Sequence, residues 1–424
     1  MFLTWYSEEA IAAATPAGVL SFNMLSLFIG TASYVGTFVA QYFGSKQYDK
    51  IGKIVWHGVY IGFFAAIVHL AMNVFSDDIF AAIGHDRSIQ HYESVYFQIL
   101  NYGAFFVVGS AAISGFFSGL GKTKIVMYVN LGMTVCNVAI NYVLIFGKWG
   151  FPQLGIKGAA IATVASGILG FIAFLILFLT PANRKNYKTS EFLVYDLQLF
   201  KRLVKFGLPS GVQFFIEMAG FTFFMLLVGR LGNASLAATN IAININMLAF
   251  MPMIGCGIAI SIMVGQYIGE EKPDLAEYST YSGFHICMLY MILIALTYVL
   301  VPEFFIYFFK TFATYDSISA ITAVVKKLLI FIAVYSVFDT FNIIFANAIK
   351  GAGDTRFVML MLFILSVTIL AVPLYVTIEV LQSTIYSAWF IFTVYIIALG
   401  LAFYKRFYNG KWKTMKVIET PVVV

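Results

Sequence analysis

The chain has 424 residues, of which 61% are hydrophobic and 11% are charged, and its formal net charge is +6. Soluble domains carry about 25% charged residues, so this composition excludes a soluble protein and predicts an all-α polytopic membrane protein. The positive charge does not indicate a nucleic-acid partner, because the lysines and arginines fall mostly in loops, where they carry topology information.

Eleven apolar runs are long enough to cross about 30 Å of hydrocarbon at about 1.5 Å per residue. They cover residues 17–40, 54–75, 93–118, 125–147, 156–180, 206–229, 237–264, 280–301, 327–349, 357–379 and 384–404. If the loop after the first run is cytoplasmic, 19 lysines and arginines lie inside and 7 outside. This bias predicts a cytoplasmic C-terminus, with the first residue on the other side. We expect a multi-pass protein of the cell's inner (plasma) membrane.

The runs repeat along the chain. At an offset of 225, residues 5–44 and 230–269 share nine identities in forty positions, and both copies end in a VAQYFG or VGQYIG sequence. A second pair is GLGKTK at 119–124 and GAGDTR at 351–356. Two halves in the same membrane orientation predict a pseudo-twofold axis along the membrane normal, with the substrate path between the halves.

These features predict a domain organisation in which the first half has one helix fewer than the second, five against six. We assign residues 1–180 to an N-lobe, 181–205 to a cytoplasmic linker, 206–406 to a C-lobe and 407–424 to a cytoplasmic tail. Residues 192–207 (FLVYDLQLFKRLVKFG) are predicted to form an amphipathic helix on the cytoplasmic surface. The helix that would complete the first half would lie before the first residue.

Two acidic residues stand deep in apolar runs, Glu217 and Asp339. A charge at the centre of the bilayer costs at least about 2.5–3.5 kcal/mol, so such residues are functional by default. Tyr335 lies four residues before Asp339 and therefore on the same helix face. The pair of carboxylates predicts a site that exchanges a proton or binds Na⁺, and the alternative is a structural hydrogen bond to a neighbouring helix.

Glu217 follows a cluster of helix-perturbing residues, Gly207, Pro209 and Gly211. The cluster either bends the helix, so that Glu217 can adjust between two states, or marks an ordinary helix start. Gln213 lies one turn from Glu217. Together with Asn244 and Met247 it forms our candidate substrate cavity, although lipid contact or core packing is the default interpretation of most methionines there.

In the first half, Asn137 and Asn141 form an i, i+4 pair and Thr163 lies in the next apolar run. Neutral amides in a helix bundle serve as interhelical hydrogen-bonding groups or as part of a polar half-site, and the sequence leaves both interpretations open. His69, alone on an apolar helix, is expected to be a satisfied core residue.

Other chemistry finds little support in the sequence. Residues 351–354 spell the GxGD of intramembrane aspartyl proteases, but every Tyr-Asp dipeptide falls in a loop and GAGD is the repeat partner of GLGK. No phosphate-binding loop, zinc-protease or serine-hydrolase motif occurs, and the three cysteines have no disulfide or zinc spacing. We therefore expect no enzyme and no cofactor other than a coupling ion.

The motifs resemble the MATE (multidrug and toxic compound extrusion) family of the NorM type over nearly the whole chain. The resemblance rests on SEEAIAAATPAG, VAQYFG and VGQYIG, GLGKTK and GAGDTR, GIKGAAIATV and FGLPSGVQFFIE. It implies the MATE/MOP fold, with six helices in each of two lobes, where this chain has five and six. It also implies multidrug efflux by a monomer that exports organic cations or drugs in exchange for Na⁺ or H⁺.

Carried over position by position, Glu217, Tyr335 and Asp339 resemble the C-lobe cation site of the family, where Na⁺ would lie at Glu217 and Asp339. Asn137, Asn141 and Thr163 resemble N-lobe positions that work with an aspartate on the first helix, which this chain lacks. An alternative is a flippase for lipid-linked oligosaccharides of the same superfamily. The absence of a lysine or arginine in the middle of any apolar run favours the drug exporter, and the two-lobed repeat disfavours a passive channel.

Overall fold

The computed structural model describes residues 2–192, 194–310 and 318–419, and over these ranges the chain is helical and has no β-strand. In these ranges the α-helices are α1 (Phe2–Tyr6), α2 (Glu8–Ser33), α3 (Val35–Gly44), α4 (Ile51–Asn73), α5 (Ser76–Ile83), α6 (Arg87–Asn101), α7 (Ala104–Gly119), α8 (Thr123–Phe146), α9 (Gly155–Phe178), α10 (Pro181–Tyr187), α11 (Leu197–Arg230), α12 (Asn233–Gly269), α13 (Pro273–Leu300), α14 (Pro302–Lys310), α15 (Ile318–Ala352), α16 (Thr355–Leu365), α17 (Val372–Tyr375) and α18 (Ile385–Tyr408). Short 3₁₀ turns cover Tyr48–Lys50 and Lys411–Thr414, and π-helical stretches cover Ser366–Ala371 and Val376–Val380.

The predicted membrane-spanning runs are present as helices. Within the described ranges, ten helical segments are long and apolar enough to cross a membrane, and a bent pair raises the number to as many as eleven. The bent pair is the run predicted over 93–118, in which Ile89–Asn101 and Ala104–Gly119 meet at 44°. The prediction of an all-α polytopic protein is therefore confirmed, with one span broken at Tyr102 and Gly103.

The chain divides into two compact units, a first unit of residues Met1–Phe215 and a second unit of residues Ile216–Val424. The division falls inside α11. The helix predicted over 192–207 is present only from residue 197 on, because residues 194–196 are not helical, and it is not confined to the predicted range, because α11 runs without a break from Leu197 to Arg230. The Asp196 side chain explains the start, since its Oδ1 accepts hydrogen bonds from the backbone N–H groups of Gln198 (2.9 Å) and Leu199 (3.0 Å).

Equivalent small residues build the same helix crossing in both units. In the first unit a Cβ on Gly119 of α7 would lie 2.7 Å from the Gly36 carbonyl oxygen of α3. In the second unit a Cβ on Gly351 of α15 would lie 2.3 Å from the Ser261 carbonyl oxygen of α12. Close helix contact through small residues is typical of membrane bundles. The repeated GLGKTK and GAGDTR motifs therefore place a glycine where two helices touch.

The cluster of Gly207, Pro209 and Gly211 lies inside α11, twelve residues after its start in the case of Pro209, so the interpretation as an ordinary helix start is wrong. Both glycines contact α2. A Cβ on Gly211 would meet the Leu27 carbonyl oxygen at 2.2 Å, and one on Gly207 would meet the Thr31 carbonyl oxygen at 2.8 Å. The glycines of this cluster are needed for the close approach of α11 to α2.

The C-terminal residues of the second unit pack back onto it. The Trp412 indole is fully buried and stacks on Phe407 with ring centroids 4.8 Å apart, and its Nε1 donates to the Phe407 carbonyl oxygen at 2.8 Å. Lys413 binds Glu277 of α13 at 2.6 Å, and Lys416 binds Glu271 at 2.7 Å. The described part of the predicted tail is therefore docked on the helical bundle.

Candidate functional site

Asp339 lies on α15 in the interior of the second unit, with 6% of its surface exposed. Its Oδ1 accepts a hydrogen bond from Asn342 Nδ2 at 2.8 Å, one turn further along the helix. Membrane interiors tolerate a carboxylate only where it has polar partners, a water-filled cavity or a function. The structure therefore places the acidic side chain that the sequence singled out away from the surface of its unit and beside an amide.

Tyr335 stands one turn before Asp339 on the same face of α15, and 5% of its surface is exposed. Its hydroxyl oxygen accepts a hydrogen bond from Asn246 Nδ2 of α12 at 3.1 Å. The phenol ring is held between aromatic neighbours on α18, stacked on Trp389 at 6.5 Å and edge-on to Phe392 at 5.6 Å. Asn246 was not among the predicted site residues, because only the packing of α12 on α15 brings it to this tyrosine.

Glu217, the second predicted acid, lies half-buried on the part of α11 that belongs to the second unit. Its charge acts electrostatically on Asp339 and on Tyr395 of α18. Tyr395 itself is buried and shares a hydrogen bond of 2.8 Å with Ser366, the first residue of a π-helical stretch. Such π-helical irregularities occur frequently at functional sites.

We call Glu217, Asn246, Tyr335, Asp339 and Tyr395 the Asp339 cluster. It combines two acids with one amide and two phenols from four helices, all within the second unit. Hard cations such as Na⁺ prefer oxygen ligands, and a pair of interacting carboxylates also suits proton exchange. No group of three or more His, Cys, Asp or Glu residues in the described ranges is arranged to hold a metal ion. A bound cation would thus need neutral oxygens besides the two carboxylates.

Lys350 lies one residue beyond the predicted apolar run 327–349, and in the structure it occupies the last turn of α15. It is half-buried, and the Glu217 charge acts on it. Asp339 therefore has a cationic side chain on its own helix, about three turns away. A lysine at the end of a helix, where its long side chain can turn either way, gives no sequence signal for this arrangement.

The polar residues predicted in the first unit form a local network between α8 and α9. Asn137 Nδ2 donates to Ser166 Oγ at 3.1 Å, and Asn141 Nδ2 donates to Asn137 Oδ1 at 3.0 Å. Thr163 is exposed and donates to the Ala159 carbonyl oxygen of its own helix at 3.0 Å. The structure brings the two asparagines together and adds Ser166, while Thr163 bonds to backbone.

The candidate cavity residues are divided between the units. Gln213 is buried in the first unit, whereas Asn244 and Met247 are exposed on α12 of the second. Asn244 donates to the Asn240 carbonyl oxygen of its own helix at 2.8 Å. Their role in substrate binding stays a prediction.

A buried polar network in the first unit was not predicted. His69 is fully buried and its Nδ1 lies 2.9 Å from Asn101 Oδ1, while Asn101 Nδ2 donates to Asn73 Oδ1 at 2.7 Å. Glu93 is also fully buried and pairs with His85 at 2.8 Å. Glu93 opens the apolar run 93–118, so a sequence search for acids deep within a run passes over it.

Asp354 of the GAGD motif has a structural partner. It forms an ion pair with Arg406 at 2.7 Å, and the Arg406 guanidinium also lies 4.5 Å from the centre of the Phe357 ring. The motif thereby joins the start of α16 to the last turn of α18.

The chain is similar to known proteins in both sequence and fold. The MatE family model matches residues 1–143 and 209–377. The chain is 24% identical over 428 residues to a probable multidrug resistance protein NorM of Thermotoga maritima, an alignment that covers 98% of this chain and 88% of the relative. It is 27% identical over 354 residues to a probable multidrug resistance protein NorM of Burkholderia pseudomallei, covering 83% and 75%.

Solved structures share the fold. The eukaryotic MATE transporter AtDTX14 superimposes with a TM-score of 0.86 at 18% identity, covering 97% of this chain and 90% of that one. A MOP superfamily transporter from Pyrococcus furiosus, whose structure was described by the reverse polarity of its binding pocket, gives a TM-score of 0.85 at 16% identity, covering 97% and 91%.

Proposed function

Because the chain belongs to the MatE family and is a NorM-type MATE transporter, we propose that it exports organic cations or drugs by antiport against Na⁺ or H⁺. Members of this family are transporters and not enzymes. We place the protein in the inner (plasma) membrane as a monomer with a cytoplasmic C-terminus, in line with the excess of lysine and arginine on that side.

The observation that carries this proposal is the buried position of Asp339, which lies within electrostatic range of a second acid. Its carboxylate has an amide donor in Asn342 at 2.8 Å and senses the charge of Glu217. A site of this kind exists in two forms, one loaded with a cation and one empty, which differ by a positive charge. It therefore offers what an antiporter needs, a group whose occupancy changes during the transport cycle.

The coupling follows from a difference in affinity. A ligand shifts a conformational equilibrium only by as much as it binds one state better than the other. A cation at Glu217 and Asp339 lowers the negative charge available to an organic cation, so the two ligands compete electrostatically. Binding of one then favours release of the other, and alternating access of the two lobes converts the competition into exchange across the membrane.

The test is substitution of Asp339 in the full chain, purified and reconstituted in proteoliposomes, with ethidium efflux driven by an imposed Na⁺ or proton gradient. Asp339→Asn keeps the size of the side chain and can still bind Asn342, but it cannot carry the charge. We expect gradient-driven efflux to fall to the level of empty liposomes for both ions.

The matched control is Asp274→Asn, because the Asp274 side chain is 91% exposed and lies 3.3 Å from Lys413 in a surface ion pair. Such pairs contribute little to stability, so efflux should stay at the wild-type level. Undiminished efflux by Asp339→Asn, with either gradient, contradicts the proposed function.

A further inference from the structure

Asn246 carries an unusual buried atom. The residue is 9% exposed, its Nδ2 donates to the Tyr335 hydroxyl at 3.1 Å, and its Oδ1 is buried with no hydrogen-bond partner in the part of the chain that the structure describes. Buried carbonyl oxygens are almost always paired, so an isolated one calls for an explanation such as a bound ion or water.

The position of this oxygen suggests the explanation. Asn246 is one hydrogen bond away from Tyr335, whose hydroxyl senses the charge of Asp339. The amide nitrogen is engaged with the tyrosine. The oxygen of the same planar amide group is therefore the atom left to bind a ligand. Asn246 also lies on α12, so it approaches the Asp339 cluster from a different helix than either acid.

The chemistry of the oxygen distinguishes the two candidate ions. A carbonyl oxygen is a good ligand for a hard cation but does not take up a proton near neutral pH. Two carboxylates are enough to exchange a proton. A Na⁺ ion, in contrast, needs several oxygen ligands, and the two acids are the only acidic residues that the sequence places deep in its apolar runs.

We propose that Asn246 Oδ1 is a ligand of Na⁺ in the Asp339 cluster, and that this residue gives the site its affinity for Na⁺ as distinct from protons. The inference rests on the proposed function, since it assigns a further residue to the same cation site. Asn246 then has two roles on one amide, in which its nitrogen orients the Tyr335 hydroxyl and its oxygen binds the ion.

The experiment titrates the purified full chain in detergent with Na⁺ and measures the melting temperature at each Na⁺ concentration. Choline replaces Na⁺ so that the ionic strength stays constant. Binding to the folded state raises the melting temperature as the ion saturates the site. Leucine has the same branched shape as asparagine but no ligand oxygen. For Asn246→Leu we therefore expect the half-saturating Na⁺ concentration to rise about tenfold or more.

The matched control is Asn347→Leu. Asn347 is half-buried on α15 and its Nδ2 donates to the Ile343 carbonyl oxygen of its own helix at 2.8 Å. This variant should keep the wild-type Na⁺ titration. If Asn246→Leu does not fold, Asn246→Asp keeps a ligand oxygen and adds a charge, so its half-saturating Na⁺ concentration should fall below that of the wild type. An unchanged or higher value overturns the inference.

The outcomes separate this inference from the proposed function. A wild-type Na⁺ titration in Asn246→Leu, or no Na⁺ response in the wild type beyond that to choline, overturns the role of Asn246 while proton-driven efflux that depends on Asp339 still stands. Efflux that survives Asp339→Asn removes the proposed function itself. Loss of the Na⁺ response in Asn246→Leu, together with a wild-type Na⁺ titration in Asn347→Leu, supports the inference.

Discussion

The two compact units carry polar residues of the same kinds in different settings. In the second unit an acid, an asparagine and tyrosines from separate helices meet around Asp339, and one buried amide oxygen has no partner within the described residues. In the first unit the asparagines Asn137 and Asn141 bond to each other and to Ser166 across the α8 and α9 pair. For these two groups of residues, the difference supports the cation site proposed in the second unit and an interhelical hydrogen-bonding role for Asn137 and Asn141 in the first.

A second difference concerns the segment that follows the last span of each unit. In the first unit, residues 187–192 pack back onto α4, where Trp56 Nε1 donates to the Thr189 carbonyl oxygen at 2.8 Å. In the second unit, residues 411–418 pack back onto the start of α13 and the turn before it through Lys413 and Lys416. Both segments are held by aromatic and backbone contacts, and the segment of the second unit adds ion pairs at Lys413 and Lys416 to its buried Trp412.

The largest effect on stability is expected at the repeated helix crossing. Gly351→Ala places a methyl group 2.3 Å from the Ser261 carbonyl oxygen, and Gly119→Ala places one 2.7 Å from the Gly36 carbonyl oxygen. Backbone atoms must move in both cases, which costs about 1–3 kcal/mol. In thermal melting of the purified variants, the melting temperature should decrease more for Gly351→Ala than for Gly119→Ala. Equal losses in the two variants, or no loss in either, would contradict the expectation that the closer approach at Gly351 costs more.

The next effect distinguishes the two polar networks. Asn137→Leu removes a hydrogen bond between α8 and α9 and should lower stability by about 0.6–2 kcal/mol. The dependence of efflux on Na⁺ and protons should not change. Asn342→Leu removes the amide donor to Asp339 and should change that dependence. Efflux assays at a series of Na⁺ concentrations and pH values measure both. An altered ion dependence in Asn137→Leu would instead support the half-site that the family resemblance implies.

The smallest effect is expected for the docked C-terminal residues. The hydrogen bond from Lys416 lowers the pKa of Glu271, so this contact stabilises the docked segment above the ordinary pKa of the acid and is lost as the pH falls through the lowered value. The hydrogen bond to Glu277 raises the pKa of Lys413, so that contact persists below the ordinary lysine pKa and is lost as the pH rises through the raised value. Docking is therefore retained around neutral pH.

Amide hydrogen exchange measures this difference between the units. Protection of residues 411–418 should decrease at low pH and at high salt, because surface ion pairs are screened. Protection of residues 187–192, where Lys53 and Glu191 lie 3.6 Å apart but most contacts are uncharged, should decrease less. If protection of both segments decreases by a similar amount at low pH and high salt, ion pairing does not contribute to the docking of the C-terminal segment.

The amino-acid sequence by itself determined the membrane class, the apolar runs, the repeat and the two intramembrane acids. These features are local, because a run of apolar residues must cross the bilayer as a helix and a carboxylate within it is costly wherever its neighbours lie. The periodicity of one helix also placed Tyr335 and Asp339 on one face.

Only the tertiary structure decided which residues from other helices meet the acids. Asn246 reaches Tyr335 because α12 packs on α15, and Tyr395 lies within range of the acids because α18 packs there as well. The same holds for Gly211, whose closeness to Leu27 depends on how α11 crosses α2. Contacts between residues far apart in the chain depend on the shape of many side chains at once, and no spacing in a single helix records them.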